Sequence, residues 1–354
     1  MHTVQIINSS DDLSGVQIVA SERSAPSPEQ LSVRMVKAAV HPSDLNYIRG
    51  DYRAGLEKLL WNYQESQPTF DAARQQPHPT MPCIPGGEGV GIVESCGSAV
   101  DSAQWLGKRV AVTAGPPNGT WQQYLNVLPQ QAVALPDALP DEQAALMMIN
   151  PLTALAMTRY ILKAQPGDWL LMSAGASAVS KMVAALGRHY GFKTISIVRN
   201  RASADGNAGQ LGDEVVISEE QDLARRVKEI TAGRGVAMAL DCVGGSTAEA
   251  LIGCLTERGR ALLYGTLDAP SFNLFSRNLM MTNATLSGFY LPGWLAAQSL
   301  QARNEALAEL AKLSATGLLF SQVDAQYPLD QAVAAVKAST ARGRTGKILL
   351  DFTG

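Results

Sequence analysis

Residues 169–180 constrain the fold more than any other segment of the chain. An apolar run, Trp169-Leu170-Leu171-Met172, passes through small residues around Gly175 into an amphipathic stretch that ends near Tyr190, and a second apolar run, Thr194-Ile195-Ser196-Ile197-Val198, follows. This order predicts a βαβ unit that binds a dinucleotide. Small residues at the turn let a pyrophosphate approach the backbone, and the amides that open the next helix attract its charge.

Two arginines follow the second apolar run, in Arg199-Asn200-Arg201. In such a unit this position reads the ribose of the cofactor: Asp or Glu bonds the 2′-hydroxyl of NAD, whereas a cation accommodates the 2′-phosphate of NADP. Arg199 and Arg201 therefore predict selectivity for NADP. The alternative interpretation is an ordinary solvated strand end.

The composition is typical of a globular enzyme with two domains. The chain of 354 residues is longer than a domain with a single hydrophobic core usually is. Of its residues, 46% are hydrophobic and 17% are charged. A net charge of −3 argues against nucleic acid and anionic membranes as partners. Neither a secretory signal nor an apolar run of ~18 residues is apparent. The four cysteines are too scattered for a disulfide framework or a zinc knuckle, so we expect a cytoplasmic protein.

The chain is β-rich through about residue 130 and then alternates between helix and strand patterns. Predicted strands cover 33–38, 89–95, 108–112, 214–217, 236–240, 261–264, 286–290 and 347–351, and predicted helices cover 152–163, 221–231, 294–316 and 330–338. The alternating part predicts an α/β fold with a parallel sheet covered by helices.

Four motifs occur in the order found in the medium-chain dehydrogenase/reductase superfamily, which the chain resembles over essentially its whole length. They are Pro85-Gly86-Gly87-Glu88-Gly89-Val90-Gly91-Ile92-Val93, Gly107-Lys108-Arg109-Val110, Asn150-Pro151-Leu152-Thr153-Ala154 and Gln165-Pro166-Gly167-Asp168-Trp169. The resemblance implies a doubly wound parallel-sheet nucleotide-binding domain over residues 131–316. It also implies a β-rich GroES-like catalytic domain over residues 1–130 and 317–354.

Zinc-binding members of that superfamily hold the metal with Cys, His and Cys. Here Val40-His41-Pro42-Ser43-Asp44 lacks the first Cys, Gly87 replaces the His, and residues 147–153 contain no Cys. Without a cluster of soft ligands we predict no metal site. We interpret His41 as a hydrogen-bonded structural residue.

A more specific resemblance concerns the donor that a metal-free enzyme needs to polarise a carbonyl. The segment from His41-Pro42-Ser43-Asp44 to Gly50-Asp51-Tyr52 resembles the Asn-Pro-Ser-Asp…Gly-x-Tyr segment of NADPH-dependent 2-enoyl thioester reductases, and Gly288-Phe289-Tyr290-Leu291-Pro292-Gly293-Trp294 resembles another of their segments. On this resemblance Tyr52 is the catalytic tyrosine, a donor to the enolate or a proton source for the α-carbon. Tyr52 could instead be a packed loop residue, with Tyr47 or Tyr63 in its place.

The same resemblance implies an NADPH site built from six parts of the chain. Its contacts are Asn150 and Thr153 near the nicotinamide, Ala176, Ser177, Ala178 and Val179 along the pyrophosphate, Arg199 and Arg201 at the 2′-phosphate, Tyr264, Gly265, Thr266 and Leu267 at the ribose and nicotinamide, and Phe289, Tyr290, Leu291 and Lys347 completing the site.

The chain departs from those relatives by an insertion over residues 53–80. A helix is expected at 54–65, followed by a polar stretch to Pro79. Because the insertion follows Tyr52 directly, we expect it at the substrate mouth, where it would narrow the groove for a long acyl chain. A surface excursion or a dimer contact is the alternative.

The sequence thus predicts a zinc-independent, NADPH-dependent reductase of an activated C=C bond in a 2-enoyl thioester or an enone, with hydride delivered to the β-carbon. A quinone oxidoreductase of the zeta-crystallin type and an NADPH-binding protein without turnover remain alternatives. By analogy with zinc-independent relatives we expect a homodimer formed through the sheet edge at residues 286–290, since an uncovered strand edge favours association.

Overall fold

The computed structural model describes residues 1–62, 69–73, 78–341 and 343–353, and the chain divides into two compact units. The first unit holds Met1–Ile149 and Ser321–Gly354, and the second holds Asn150–Phe320. The domain boundaries predicted from the sequence, after residues 130 and 316, lie before the observed boundaries, after Ile149 and Phe320. One reason is that Ala132–Ala134 forms a strand paired with Arg109–Thr113 in the sheet of the first unit.

The strands of the described residues, in chain order, are β1 (His2–Ile6), β2 (Val16–Ala20), β3 (Leu31–Val40), β4 (Trp61–Asn62), β5 (Thr69–Phe70), β6 (Glu88–Cys96), β7 (Arg109–Thr113), β8 (Tyr124–Val127), β9 (Ala132–Ala134), β10 (Trp169–Met172), β11 (Lys193–Val198), β12 (Glu214–Ile217), β13 (Val236–Asp241), β14 (Leu255–Leu263), β15 (Thr285–Gly288), β16 (Val323–Pro328) and β17 (Lys347–Asp351).

The α-helices of the described residues are α1 (Pro42–Arg49), α2 (Arg53–Leu56), α3 (Ser102–Trp105), α4 (Asp141–Ala144), α5 (Asn150–Leu155), α6 (Ala178–Tyr190), α7 (Arg201–Asp205), α8 (Leu223–Ile230), α9 (Gly245–Ile252), α10 (Arg277–Met280), α11 (Leu291–Ala297), α12 (Leu300–Ala315) and α13 (Ala332–Ser339). None of these is long and apolar enough to cross a bilayer.

The first unit is built on a seven-stranded sheet in the order β16-β17-β3-β6-β7-β9, with β8 also paired to β3. The pairs are antiparallel except β16 with β17. Strand β3 is buried along nearly its whole length because both of its faces carry mainly apolar side chains. Trp121 is fully buried in the adjoining core, and its Nε1 donates to the carbonyl of Ala39 at 3.0 Å. The start of α1, which directly follows β3, is thereby set on a rigid support.

The second unit is a six-stranded parallel sheet in the order β12-β11-β10-β13-β14-β15. The chain runs outward from β10 to β12, returns to the other side of β10 at β13, and continues outward to β15. Ligands of such sheets bind at the carboxyl ends of the strands where the order reverses, here β10 and β13. The predicted α/β class with a doubly wound parallel sheet is confirmed.

Most predicted elements are present, and β12 and β17 have the predicted bounds. The single helix expected over residues 294–316 is wrong, because the chain forms α11 and α12 instead. Gln298 is extended, and the side chain of Ser299 accepts a hydrogen bond from the N–H of Ala302, which starts a new helix. The helix expected over 152–163 begins as α5 and continues as a π-helix over Ala156–Ile161.

The helix expected in the insertion at residues 54–65 is also wrong. The helix α2 ends at Leu56, and β4 pairs with β5 in a short antiparallel ladder, Trp61 opposite Phe70. The N–H of Asp71 donates to the carbonyl of Leu60 at 2.8 Å, which extends this pairing. Backbone pairing with a later segment therefore overrides the local helical pattern. Residues 63–65, with Tyr63, lie outside the described residues.

Candidate active site

The turn between β10 and α6 packs closely against β11 and leads into a capped helix. A Cβ on Gly175 would lie 2.6 Å from the Cβ of Ser196, so only glycine lets the turn lie against β11. The side chain of Ser177 accepts from the N–H of Ser180 at 3.3 Å and caps the helix. The predicted pyrophosphate contacts, Ala176, Ser177, Ala178 and Val179, therefore lie at the start of a 13-residue helix, whose N-terminus attracts anions.

Asn150, the first residue of α5, carries a buried amide group with an unused donor. The residue is 7% exposed, and its Nδ2 has no hydrogen-bond partner within the described part of the chain. A buried donor without an acceptor is costly, so such atoms in native proteins usually mark an unaccounted ligand, ion or water. The predicted contact of Asn150 with a polar cofactor group fits this observation. Thr153, one helical turn further, is also buried.

The segment that follows β14 reaches the carboxyl edge of the same sheet. Burial raises the pKa of the Tyr264 hydroxyl well above its usual range, and the Cys242 thiol nearby acts in the same direction. A Cβ on Gly265 would lie 3.0 Å from the Cβ of Cys242, so the backbone passes close to the end of β13. Thr266 and Leu267 are exposed. The predicted cofactor segment 264–267 is therefore at this edge, part buried and part open.

The residues after β15 have mixed surroundings. The side chains of Phe289 and Leu291 pack against the core of the second unit, whereas Tyr290 is exposed. The N–H of Phe289 donates to the carbonyl of Leu263 at 2.7 Å, which continues the β14–β15 ladder. Phe289 and Leu291, two of the three predicted cofactor contacts here, thus also stabilise the core of the second unit.

Arg199 and Arg201 lie at the carboxyl end of β11, but they have different partners. The guanidinium of Arg199 is exposed and has no ion pair or side-chain hydrogen bond to any described residue. Arg201 begins α7 and forms an ion pair with Glu220, just after β12. The N–H of Glu219 donates to the carbonyl of Arg199 at 3.0 Å, which holds the segment with Glu220 beside the two arginines.

Tyr52 lies in the first unit, shortly after the end of α1. Gly50 closes that helix in the left-handed conformation, with φ of 82°. The half-buried ring of Tyr52 then packs edge-on against the ring of Tyr47, with centroids 5.0 Å apart and planes at 74°. Tyr47, one of the two alternatives to Tyr52, is therefore adjacent to it and supports its ring.

A buried network of charged side chains lies at the start of α1. Nε2 of His41 is 2.7 Å from Oε1 of Glu88, and Nζ of Lys347 is 3.0 Å from Nδ1 of His41. All three residues are at most 7% exposed. Burial, and then the charge of Lys347, lower the pKa of His41. A neutral ring that accepts at Nδ1 from an ammonium must carry its proton on Nε2, where it donates to the Glu88 carboxylate.

The carboxylate of Glu88 has further hydrogen bonds. Its Oε2 accepts from the N–H groups of Met148 and Ile149 at 2.6 and 2.8 Å. Lys347, a predicted cofactor contact, therefore has its partner within the first unit, and burial lowers its pKa to about 8. Its contact with the cofactor stays a prediction. His41 is hydrogen-bonded and buried, as expected for a structural histidine.

Asp44 secures the same end of α1. Its carboxylate accepts from the N–H of His41 at 2.8 Å and from the N–H of Gly86 at 3.2 Å. Burial raises the pKa of Asp44 to about 7. The helix that leads to Tyr47 and Tyr52 is thus fixed by side chains on three separate parts of the chain.

Two residues of this region were missed by the sequence reasoning. Glu88 could have been noticed as a charge directly before the apolar stretch of a strand. His78, at the end of the insertion, had no such signal. It is 8% exposed, its ring lies 6.1 Å from that of Tyr47, and its Nε2 has no hydrogen-bond partner among the described residues. The insertion therefore contributes a side chain close to Tyr47.

Metal ligands are not clustered in the described residues. No group of three or more His, Cys, Asp or Glu side chains there could hold a metal ion. The four cysteines are free, and burial raises the pKa of Cys83 and of Cys242 to about 11. The absence of a zinc site stays a prediction.

Comparisons with known proteins agree with this geometry. The family model of the alcohol dehydrogenase GroES-like domain matches residues 27–137, and that of a zinc-binding dehydrogenase family matches residues 211–350. The mitochondrial enoyl-[acyl-carrier-protein] reductase of Arabidopsis thaliana is 29% identical over 329 residues, which cover 90% of this chain and 80% of the relative.

Solved structures extend the comparison to the whole fold. A structure described as a candidate NADPH:quinone reductase from Bacillus thuringiensis is 28% identical, covers 99% of both chains and has a TM-score of 0.87. The Escherichia coli quinone oxidoreductase, solved in complex with NADPH, is 24% identical, covers 99% of this chain and 100% of its own, and has a TM-score of 0.85. The latter similarity shows the shared fold.

Proposed function

The chain belongs to the medium-chain dehydrogenase/reductase superfamily, and from this membership we propose that it is an NADPH-dependent reductase of activated C=C bonds that works without zinc. The observation that carries the proposal is the placement of Tyr52. Its ring is held by Tyr47 at the end of a helix whose start is anchored by His41 and Asp44. A fixed hydroxyl donor is what a reductase without a metal needs at its acceptor carbonyl.

The second unit supplies residues that fit NADPH. Among the described residues, Nδ2 of Asn150 and the guanidinium of Arg199 have no side-chain hydrogen bond or ion pair. This Nδ2 suits a carbonyl oxygen of the nicotinamide amide, the start of α6 suits the pyrophosphate, and the guanidinium suits the 2′-phosphate. When bound, NADPH supplies a hydride to the acceptor. We propose the remaining predicted contacts, including Lys347, as parts of the same site, with Arg201 near the 2′-phosphate but bonded to Glu220.

The role of Tyr52 follows from the charge that the reaction creates. As the β-carbon of an enone or enoyl thioester takes up hydride, negative charge moves to the carbonyl oxygen. A hydroxyl already aimed at that oxygen stabilises the charge without reorganisation. The α-carbon then needs one proton, which the Tyr52 hydroxyl can give and recover from solvent. Both steps require the O–H group and not the aromatic ring.

Quinone reduction is the second candidate, favoured by the structural similarity to the Bacillus thuringiensis protein. The similarity to the Arabidopsis thaliana reductase favours an enoyl thioester. A quinone takes its protons on oxygen, where exchange with water is fast, so it depends less on a placed tyrosine. A third candidate is a protein that binds NADPH without turnover.

The test is a panel of NADPH oxidation rates with crotonyl thioester, simple enones and quinones at matched concentrations. We expect kcat/KM to be highest for the enoyl thioester or enone. A preference for quinones would transfer the assignment to the second candidate. NADPH binding without oxidation by any acceptor would support the third.

Three further properties are proposals. Metal analysis of protein purified without added zinc should find less than stoichiometric zinc, because Gly87 replaces a ligand. Light scattering should find a homodimer, because β15 lies at the sheet edge and the nearby Met280 and Met281 are exposed. We also propose a cytoplasmic location, which fractionation of the source cells would check.

A further inference from the structure

The two arginines at the carboxyl end of β11 differ in the charge that surrounds them. Among the described residues, the guanidinium of Arg199 has no ion-pair partner, whereas that of Arg201 is bonded to the carboxylate of Glu220. The side chains of Arg201 and Glu220 are 65% and 41% exposed, so both can rotate. The positive charge of Arg201 is therefore already matched, and that of Arg199 is not.

The backbone keeps Glu220 in this position. The N–H of Ser218 donates to the carbonyl of Val198 at 2.9 Å, and the N–H of Glu219 donates to that of Arg199 at 3.0 Å. These bonds continue the β11–β12 ladder past the ends of both strands. A 2′-phosphate that approaches Arg201 must therefore displace a carboxylate that the fold holds nearby.

We propose that Glu220 is a specificity-determining residue that holds Arg201 away from the 2′-phosphate, so that Arg199 alone recognises it. The proposal rests on the proposed NADPH-dependent function and concerns the affinity for the cofactor rather than the reaction. On this proposal, Glu220 lowers the selectivity for NADPH over NADH. Removal of the carboxylate should therefore improve NADPH binding, which is the opposite of what loss of an ordinary site residue does.

Glu219 provides a matched control. It is the neighbouring residue with the same charge, it is exposed, and its carboxylate is in no ion pair with a described residue. Glu219→Gln changes the net charge as Glu220→Gln does, but it frees no arginine. The difference between the two variants isolates the Arg201–Glu220 pair from the general effect of charge.

The experiment measures Kd for NADPH and NADH from cofactor fluorescence, without turnover. It uses the parent, Glu219→Gln, Glu220→Gln, Arg201→Ala and the double variant Arg201→Ala with Glu220→Gln. Freeing an exposed arginine should tighten NADPH binding about 3- to 5-fold in Glu220→Gln. Glu219→Gln should change it less than about twofold, because exposed charges are screened. In the Arg201→Ala background the gain from Glu220→Gln should fall to the Glu219→Gln level, and NADH should be unaffected throughout.

Equal gains in NADPH affinity in Glu219→Gln and Glu220→Gln would overturn this inference but not the proposed function. A gain from Glu220→Gln that persists without Arg201 would also overturn it. An unchanged Kd in Glu220→Gln, with the parent binding NADPH normally, would do the same. If the parent itself shows no NADPH binding, the proposed function fails and the inference falls with it. Thermal unfolding of each variant checks that the fold is kept.

Discussion

The two units carry similar charged groups in opposite environments. In the first unit, Glu88 and Lys347 are buried on either side of His41, and each is hydrogen-bonded within the network. In the second unit, Arg201 and Glu220 are exposed, and Arg199 has no partner among the described residues. A buried charge must be matched inside the fold, whereas an exposed one can exchange its partner for a ligand. The buried charges of the first unit therefore stabilise the fold, whereas the exposed charges of the second unit can bind a ligand.

The largest expected difference concerns stability. Glu88→Gln removes the carboxylate that most favours the buried ammonium of Lys347 and leaves the N–H of His41 facing an amide. Loss of one partner of a buried ion pair costs about 3–5 kcal/mol. Glu220→Gln, the control in the exposed set, should change the free energy of unfolding by about 1 kcal/mol or less. Urea denaturation of the two variants measures both, and equal losses would contradict the comparison.

The next effect separates chemistry from cofactor binding. Tyr52→Phe keeps the ring that packs on Tyr47 and removes the hydroxyl. Loss of one donor to a developing oxyanion costs about 10²–10³ in kcat, and kcat and kcat/KM should fall together. The Kd for NADPH should stay unchanged, because the proposed contacts with the pyrophosphate and the 2′-phosphate are in the second unit. Parent-like activity would make Tyr52 a packing residue and favour the quinone alternative.

A smaller effect is expected at the unpaired arginine. A hydrogen bond to a charged group contributes about 1.5–3 kcal/mol. Arg199→Ala should therefore weaken NADPH roughly 10- to 100-fold and leave NADH almost unchanged. Arg201→Ala should weaken NADPH binding less, since the charge of Arg201 is already matched by Glu220. Fluorescence titration with both cofactors measures this, and equal weakening of NADPH and NADH would refute the assignment of the 2′-phosphate.

The effect that is smallest over a single pH unit is a dependence of stability on pH. Burial lowers the pKa of Lys347 from 10.5 to about 8. Between these values the unfolded chain holds the proton and the folded chain does not, so this residue makes stability rise with pH, by up to about 1.4 kcal/mol per pH unit. Lys347→Met lacks this contribution. The difference in unfolding free energy, parent minus variant, should therefore increase from about pH 8 upward. A constant difference would show that Lys347 stays protonated throughout that range.

Local sequence patterns predicted most helices and strands, and they failed where contacts outside the pattern determine the secondary structure. The strands β12 and β17 are read correctly because short apolar runs with flanking polar residues specify them. The insertion fails because β4 depends on pairing with β5, and the helix expected at 294–316 fails because a single serine cap divides it. Neither signal is part of the helical period that suggested those helices.

By itself the sequence determined the family, and it predicted a nucleotide-binding turn at Gly175 and two arginines that select NADP. These depend on residue types at fixed spacing within one βαβ unit, where neighbours in sequence are neighbours in space. Only the tertiary structure decided that Lys347 bonds His41, that Tyr47 supports Tyr52, and that Glu220 matches Arg201. The partners in the first and last of these contacts come from separate segments, and hydrogen bonds and ion pairs form only where folding brings atoms within about 3–4 Å.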